Sequence, residues 1–279
     1  MAKYIIHKAV DLHKLSTKNK PTEEQLNSSE FVWQPKIDGC NMVAIVNNDS
    51  VQLLSRTGES VLSADNIVQE FVGFPNGVYL GEYVIPNEPF PLISGHFRNQ
   101  QTQIRAEFYI FDVLSLHEWS QGKSNVPYRS RRASIPQVRP GALHIIFSGN
   151  RKQAEAWMEA HPELGYDGLI ARKVSGGWVQ GSSGLSGEII KIKNSISLDL
   201  ELKGIKTAAG AKTGRKVYTL VVEYQGQEIV VGSGVPHLKA QLPKVGSIVE
   251  IEALGITTGG VLREPRFKGV RTDKLEPDT

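Results

Sequence analysis

The chain has 279 residues, 40% of them hydrophobic, a formal charge of +3 from 32 Lys and Arg against 29 Asp and Glu, and one cysteine, Cys40. A single cysteine excludes an internal disulfide and any multi-cysteine zinc cluster, and no uncharged apolar stretch reaches the roughly 18 residues that cross a bilayer. The segment Met1 to Val10 lacks an apolar core followed by a small-residue cleavage site, so the expectation is a soluble, cytoplasmic protein without a membrane partner, and with no oligomerisation signal in the sequence a monomer is expected.

From Phe31 onward, short β-rich runs alternate with polar turns, and Phe31–Lys36, Asn41–Val46, Val51–Leu54, Val78–Ile85 and Glu107–Val113 read as strands. Asn47-Asn48-Asp49 suits a tight hairpin, because these residues tolerate unusual backbone angles. Between Glu118 and Glu155 no acidic residue occurs, while Lys123, Arg129, Arg131, Arg132, Arg139, Arg151 and Lys152 all do. That tract suits a solvated basic face and a phosphate-binding one equally well. The spacing predicts a helix over Asn150–His161, capped by Asn150, with Ala154, Trp157 and Met158 on one face and Pro162 ending it. After Asn194 the pattern changes to Leu198–Ile205, Lys216–Tyr224, Glu228–Val231 and Ile248–Leu254 as strands, with a turn at Gln225-Gly226-Gln227 and a short helical piece over Pro236–Leu242. That order suggests a small OB-type barrel. The expected class is α+β: residues 1–195 as a domain of antiparallel sheets, and 196–279 as an all-β barrel.

Chemistry concentrates in a few segments. In Gln34-Pro35-Lys36-Ile37-Asp38-Gly39-Cys40-Asn41, a lysine ends a strand before a turn, which by itself describes a surface turn. A lysine acts as a nucleophile only when part of its population is neutral, so nearby positive charge, metal or desolvation is expected around Lys36. Lys191 and Lys193 in the strand Gly187–Lys193 point to one face by strand alternation, and opposite a phosphate they would stabilise developing charge. Asp38, Glu82 and Asp167 are a sparse acid set of the kind that holds Mg²⁺ or Mn²⁺, which takes much of its coordination from water and phosphate. Phe108-Tyr109-Ile110-Phe111 offers aromatics for a purine, with core packing as the default for each ring.

Taken together and in order, these segments resemble the nucleotidyltransferase motifs of covalent ATP-dependent ligases: Lys36-Ile37-Asp38-Gly39, Ser55-Arg56-Thr57-Gly58, Gly81-Glu82, Phe111-Asp112, Asp167-Gly168 and Lys191-Ile192-Lys193. The resemblance spans most of the chain. It implies an adenylation domain with ATP-grasp-like antiparallel sheets followed by an OB barrel, ATP as co-substrate, and nicked double-stranded DNA as partner. By that likeness Lys36 forms the lysyl-AMP, Arg56 and Glu82 hold the ribose, Phe111 stacks on adenine and Gln34 reads its edge. Lys191 and Lys193 grip the α-phosphate, and Asp38, Glu82 and Asp167 organise metal. Arg271-Thr272-Asp273-Lys274 resembles the last motif of DNA ligases, which puts Arg271 and Lys274 on the β- and γ-phosphates. The basic segment 206–216, with Lys206, Lys212, Arg215 and Lys216, reads as a mobile loop that orders on duplex DNA.

Two positions depart from the commonest DNA-ligase pattern. Asn41 stands where an arginine usually contacts the substrate 5′-phosphate, and asparagine lacks the charge and the bidentate fork. Asp167 stands where glutamate is usual. Lys-x-(Asp or His)-Gly-x-Asn resembles the nucleophile motif of one RNA-ligase family, so an RNA ligase is the alternative reading. Capping guanylyltransferases share the two-domain layout, and a binding protein on a ligase fold would be expected to lose Lys36 or the paired lysines.

Overall fold

In the computed structural model, residues 4–48, 50–99, 105–193, 195–209, 216–256, 260–274 and 276–278 are described. They divide into two compact units, Met1–Ile192 and Lys193–Thr279. Among the described residues no helix is long and apolar enough to cross a membrane.

The first unit begins with β1 (Val10–Asp11) and α1 (Glu23–Leu26), a short helix closed by a reciprocal capping box between Thr22 and Gln25. Then come β2 (Phe31–Ile37), β3 (Cys40–Asn47), β4 (Ser50–Ser55), α2 (Asp65–Glu70), β5 (Gly77–Val84), α3 (Phe90–Arg98) and β6 (Glu107–Leu114). The unit is completed by α4 (Leu116–Ser120), β7 (Lys123–Ser124), α5 (Tyr128–Ala133), β8 (Leu143–Ile145), α6 (Arg151–Ala160), β9 (Tyr166–Lys173), β10 (Trp178–Val179) and β11 (Ile189–Lys193). Two main sheets result, ordered β1-β11-β9-β2 and β4-β3-β5-β6-β8. Antiparallel pairing dominates, as expected, but β1/β11 and β6/β8 pair in parallel. Both parallel partners are joined by long connections, which parallel pairing requires and short hairpins cannot supply.

Alternation along β3 and β5 creates two apolar faces. Met42, Ala44, Val46, Tyr79 and Tyr83 face Ile67 and Phe71 near α2 and Ile93 and Phe97 of α3. Val43, Val78 and Leu80 pack on the other side with Leu114 and Trp178, and the same alternation assigns Asn41 and Glu82 to this second face. The β1-β11-β9-β2 sheet is backed by α6, where Ala154 and Met158 meet Trp33, Ala171 and Ile190. The reading of α6 holds in detail: Asn150 accepts from the Gln153 N–H at 2.9 Å and Gln153 answers at 3.0 Å. In the β3–β4 hairpin Asn48 has φ 51°, while Asp49 lies outside the described residues.

The second unit is one five-stranded sheet, β12 (Ile196–Ala209), β13 (Lys216–Tyr224), β14 (Gln227–Val231), β15 (Ile248–Ala253) and β16 (Arg266–Val270), ordered β14-β13-β12-β15-β16. A bridge from Ser233 to Arg266 joins its two edges at one point. Leu200, Leu202, Leu220, Val222, Val249 and Ile251 form its core. Gln225 and Gly226 take φ of 50° and 75°, the positive values that a two-residue hairpin turn demands. Three features differ from the sequence reading. The helical piece is a single 3₁₀ turn, Lys239–Gln241. A further strand, β16, runs through the basic C-terminal stretch. Residues 206–209 are not loop but strand, since Lys206 pairs with Thr219 and Ala209 with Lys216 in register.

Candidate active site

Lys36 sits where the β2/β9 ladder slips: Pro35 pairs with Leu169 and Ile37 with Tyr166, so Asp167 and Gly168 together oppose Lys36. Such a bulge releases a residue from the ladder and re-aims its side chain. Lys36 Nζ lies 2.5 Å from Asp167 Oδ1, with the lysine side chain 25% exposed and the aspartate 5%. The sequence reading expected cationic company for Lys36. Its immediate partner is instead an anion, which orients the amine.

A second bulge sits across the cleft. Leu80 pairs with Asp112 and Gly81 with Ile110, leaving Phe111 as the extra residue of β6. Both lysine and aromatic motifs therefore occupy ladder defects. Gly39 and Gly81 are explained by close approach. A Cβ on Gly39 would lie 2.4 Å from Tyr83 O and 2.8 Å from Glu82 Cγ, and one on Gly81 would lie 2.5 Å from the Phe108 ring.

Glu82 belongs to this crowded corner. Burial pushes its carboxyl up to about 8, helped by Asp167 and Asp38 and opposed by Lys36 and by a hydrogen bond from Asn41. Asn41 was expected on the acceptor strand. It pairs directly with Glu82 across the β3/β5 ladder and helps hold that carboxyl down, while Asn41 Oδ1 is buried without a hydrogen-bond partner. It lines a small hollow with Leu80, Phe111 and Arg172. Asn41 thus belongs to the inside of the cleft, for a reason of register that linear spacing does not reveal. Asp38 holds its turn through its N–H, which donates to Gly165 O at 3.1 Å.

Beneath Phe111 lies a buried polar network. Asp112 is fully buried and accepts two bonds of 2.9 Å from Arg131, through Nε and Nη2. Arg131, part of the tract read as a basic face, is therefore a core residue; Arg132 likewise caps Ile146 O at 2.6 Å. Arg172 lies 3.9 Å from Asp112 and stacks over the Phe111 ring at 4.4 Å, leaving a purine only the other face of Phe111. Gln34 is 1% exposed, and its amide is shared between Arg172 and Tyr128. Asp112, Arg131, Tyr128 and Arg172 were not singled out from sequence, and only the Asp112 position inside Phe111-Asp112 hinted at them.

His7 borders the same hollow. Burial, then the Arg172 and Arg131 guanidiniums, push its imidazole from 6.5 down to about 4, outweighing Glu188 at 3.7 Å. The unfolded chain therefore takes up the proton first as pH falls. The stability His7 contributes is complete above about 6.5 and is lost between there and about 4, amounting to roughly 3 kcal/mol. Urea midpoints of the wild type and His7→Gln should diverge at pH 7 and converge near pH 4; parallel pH curves would contradict this.

Lys191 lies 3.6 Å from Asp11 of the neighbouring β1. Lys191 and Lys193 share a face with Ile189, which lines the hollow beside Phe111. Arg56 is anchored by its carbonyl to the Ile5 N–H at 3.0 Å and stacks over Tyr4 at 5.5 Å. Its charge reaches Cys40, whose thiol is pushed up to about 11 by burial and by Glu82. In the second unit, Arg271 and Lys274 are both engaged by the buried Asp199, at 2.7 and 2.5 Å, and Arg271 also by Asp273 at 2.7 Å. Lys206 pairs with Glu228 at 2.5 Å. Lys212 and Arg215, and the Lys216 side chain, lie outside the described residues.

The sequence reading expected Asp38, Glu82 and Asp167 as a sparse set that leaves most of the coordination to water and phosphate. Among the described residues no three His, Cys, Asp or Glu side chains converge as ligands. Asp167 is spent on Lys36, and Glu82 is crowded toward its protonated form. The acids fit a cation that brings phosphate ligands with it, not a protein-made cage.

The family described as ATP dependent DNA ligase domain matches residues 13–193, and that described as DNA ligase OB-like domain matches 211–271. Among curated relatives, the multifunctional non-homologous end joining protein LigD of Mycolicibacterium smegmatis is 23% identical over 294 residues, covering 90% of this chain and 37% of its own length. A DNA ligase of Thermococcus onnurineus is 25% identical over 304 residues, covering 90% of this chain and 53% of its own. The chain thus spans about a third to a half of these relatives. Among solved structures, a Lig E DNA ligase studied as a minimal DNA-binding scaffold aligns with TM-score 0.68 at 18% identity, covering 95% of this chain and all of that one. The ATP complex of the bacteriophage T7 ATP-dependent DNA ligase aligns at 0.53 with 15% identity, covering 97% of this chain and 99% of that one. With the first family spanning more than half of the chain and the second covering most of the second unit, the protein belongs to the ATP-dependent DNA ligases.

Proposed function

We propose that this chain seals nicks in duplex DNA through a lysyl-AMP on Lys36 and a DNA-adenylate. The observation that carries the reading is the Lys36–Asp167 contact across the β9 bulge, on the cleft side that also holds Glu82 and Phe111. An attacking amine must be neutral, and Asp167 Oδ1 is the base within reach of Nζ. Nζ then bonds the α-phosphorus of ATP as the bond to pyrophosphate breaks. A DNA 5′-phosphate oxygen next takes the AMP from Lys36, and the 3′-hydroxyl finally displaces AMP to join the strands.

The other side chains divide the substrate. Glu82, mostly protonated at neutral pH, both donates to and accepts from ribose hydroxyls without a buried charge, with Arg56 beside it. Phe111 stacks on adenine with its free face, and Gln34 reads the base edge. Lys191 and Lys193 meet the α-phosphate. Arg271 and Lys274 exchange Asp199 for the pyrophosphate oxygens. Asp38 and Asp167 would help hold a magnesium ion brought with the triphosphate, which would offset the phosphate charge. Lys206, Lys212, Arg215 and Lys216 supply phosphate contacts to the duplex, which makes binding weaken with salt, and the protein acts as a monomer.

Asn41, the residue that favoured an RNA acceptor, stands beside Glu82 across the β3/β5 ladder, and the choice of acceptor strand is what the experiment decides. The test is to load the protein with α-labelled ATP and offer nicked DNA or nicked RNA duplex, with and without magnesium. Label should pass to nicked DNA and the nick should close. Sealing of RNA alone would sink the reading.

A further inference from the structure

Gln34 is a buried amide bonded to Arg172, which lies over the Phe111 ring, and its orientation decides what it can recognise. An amide turned one way offers an outward carbonyl to a 6-amino purine; turned over, it offers N–H to a 6-oxo purine. Two neighbours fix the choice. The Tyr128 hydroxyl donates its single proton to Phe111 O at 2.9 Å, so toward Gln34 it can only accept, and Gln34 Nε2 donates to it at 2.8 Å. Arg172 has donors alone, and its Nε donates to Gln34 Oε1 at 2.6 Å. The two constraints act at opposite ends of the amide and agree.

The neighbours are themselves held. Tyr128 is 3% exposed and Arg172 6%. Arg172 is braced by the Phe111 ring at 4.4 Å and the Tyr128 ring at 5.2 Å, and by Asp112, which Arg131 clamps from the other side. At 1% exposure the Gln34 amide meets little water, so Arg172 and Tyr128 set its orientation.

We propose that Arg172 and Tyr128 are positioning residues for nucleobase selection: they lock the Gln34 amide with one Oε1 lone pair and one Nε2 hydrogen left for the base, a pair that matches N6–H and N1 of adenine and opposes O6 and N1–H of a 6-oxo purine. This rests on the reading that Gln34 faces the base. Neither residue touches the nucleotide in this role. Their effect passes through Gln34 alone.

ITP differs from ATP only at this edge, so the test compares the rates at which α-labelled ATP and ITP load Lys36 in single-turnover reactions. Wild type should prefer ATP strongly. Arg172→Met and Tyr128→Phe should each cut the ATP-to-ITP ratio at least about tenfold, since a freed amide can turn to serve either base. A merely structural role would lower both rates together and leave the ratio alone. If Gln34→Ala collapses the ratio while Arg172→Met and Tyr128→Phe preserve it, the positioning role is overturned. If Gln34→Ala keeps the wild-type ratio, the base is read elsewhere and the premise fails with the proposal; if wild type takes up no label, the adenylation reading itself fails.

Discussion

Lys36→Ala is expected to retain no acid-labile AMP after incubation with α-labelled ATP, a loss of more than about a thousandfold in adduct formation, as for removal of other covalent nucleophiles. No other lysine replaces it. Lys191 and Lys193 approach from another strand, β11, and only Lys36 stands at the bulge facing Asp167. Alanine also leaves Asp167 without its ammonium partner, but the Lys36 side chain is 25% exposed, so water reaches the gap and the stability cost should stay near about 1–2 kcal/mol, below that of a fully buried pair. Lys36→Arg separates chemistry from structure. A guanidinium keeps the ion pair but does not lose its proton, so this variant should melt like wild type and still form no adduct. An adduct on either variant, mapped to another lysine, would remove Lys36 from the mechanism.

Asp112→Ala should be the most destabilising single change in the first unit. Asp112 is fully buried and is the counter-ion of two buried guanidiniums, bound to Arg131 through two bonds of 2.9 Å and 3.9 Å from Arg172. Removing the one anion leaves two adjacent positive charges out of water, and breaking such a pair costs about 3–5 kcal/mol. For a unit of this size that corresponds to a fall in Tm of roughly 10 °C. The loss should spread to the cleft, because Arg172 then repels Arg131 and releases its hold on Gln34 and Phe111. Urea unfolding measures the first effect and the KM for ATP in adduct formation the second. A midpoint within about 1 kcal/mol of wild type would show that Asp112 does not carry this charge balance.

The two predictions draw on different levels of legibility. Lys36, Glu82, Asp167 and the paired lysines stand out in sequence because their motifs are local: a strand end, a tight turn and an alternating strand each need only a few neighbouring residues. For the same reason β2, β3, β5, β6 and α6 were readable, their periodicity and caps being written in consecutive positions. The OB-like unit was readable from strand order and from the Gln225-Gly226 turn.

What escaped depends on distant partners. The short helices α2 to α5 have too few turns to show a period, and β16 alternates charged residues that pair only because β15 lies beside it. Arg131 reads as one more cation in a basic run until Asp112, 19 positions away, neutralises it in the core. Asn41 reads as a substrate contact until the β3/β5 register sets it against Glu82. Lys36 itself was a lysine in want of cationic neighbours by sequence, and tertiary structure supplied Asp167 through a bulge that inserts one residue opposite it. Sequence alone determined which residues are candidates for the chemistry, because residue type and local spacing are intrinsic to the chain. Tertiary structure decided what each one faces, because register, bulges and buried charge balance exist only once distant strands have paired.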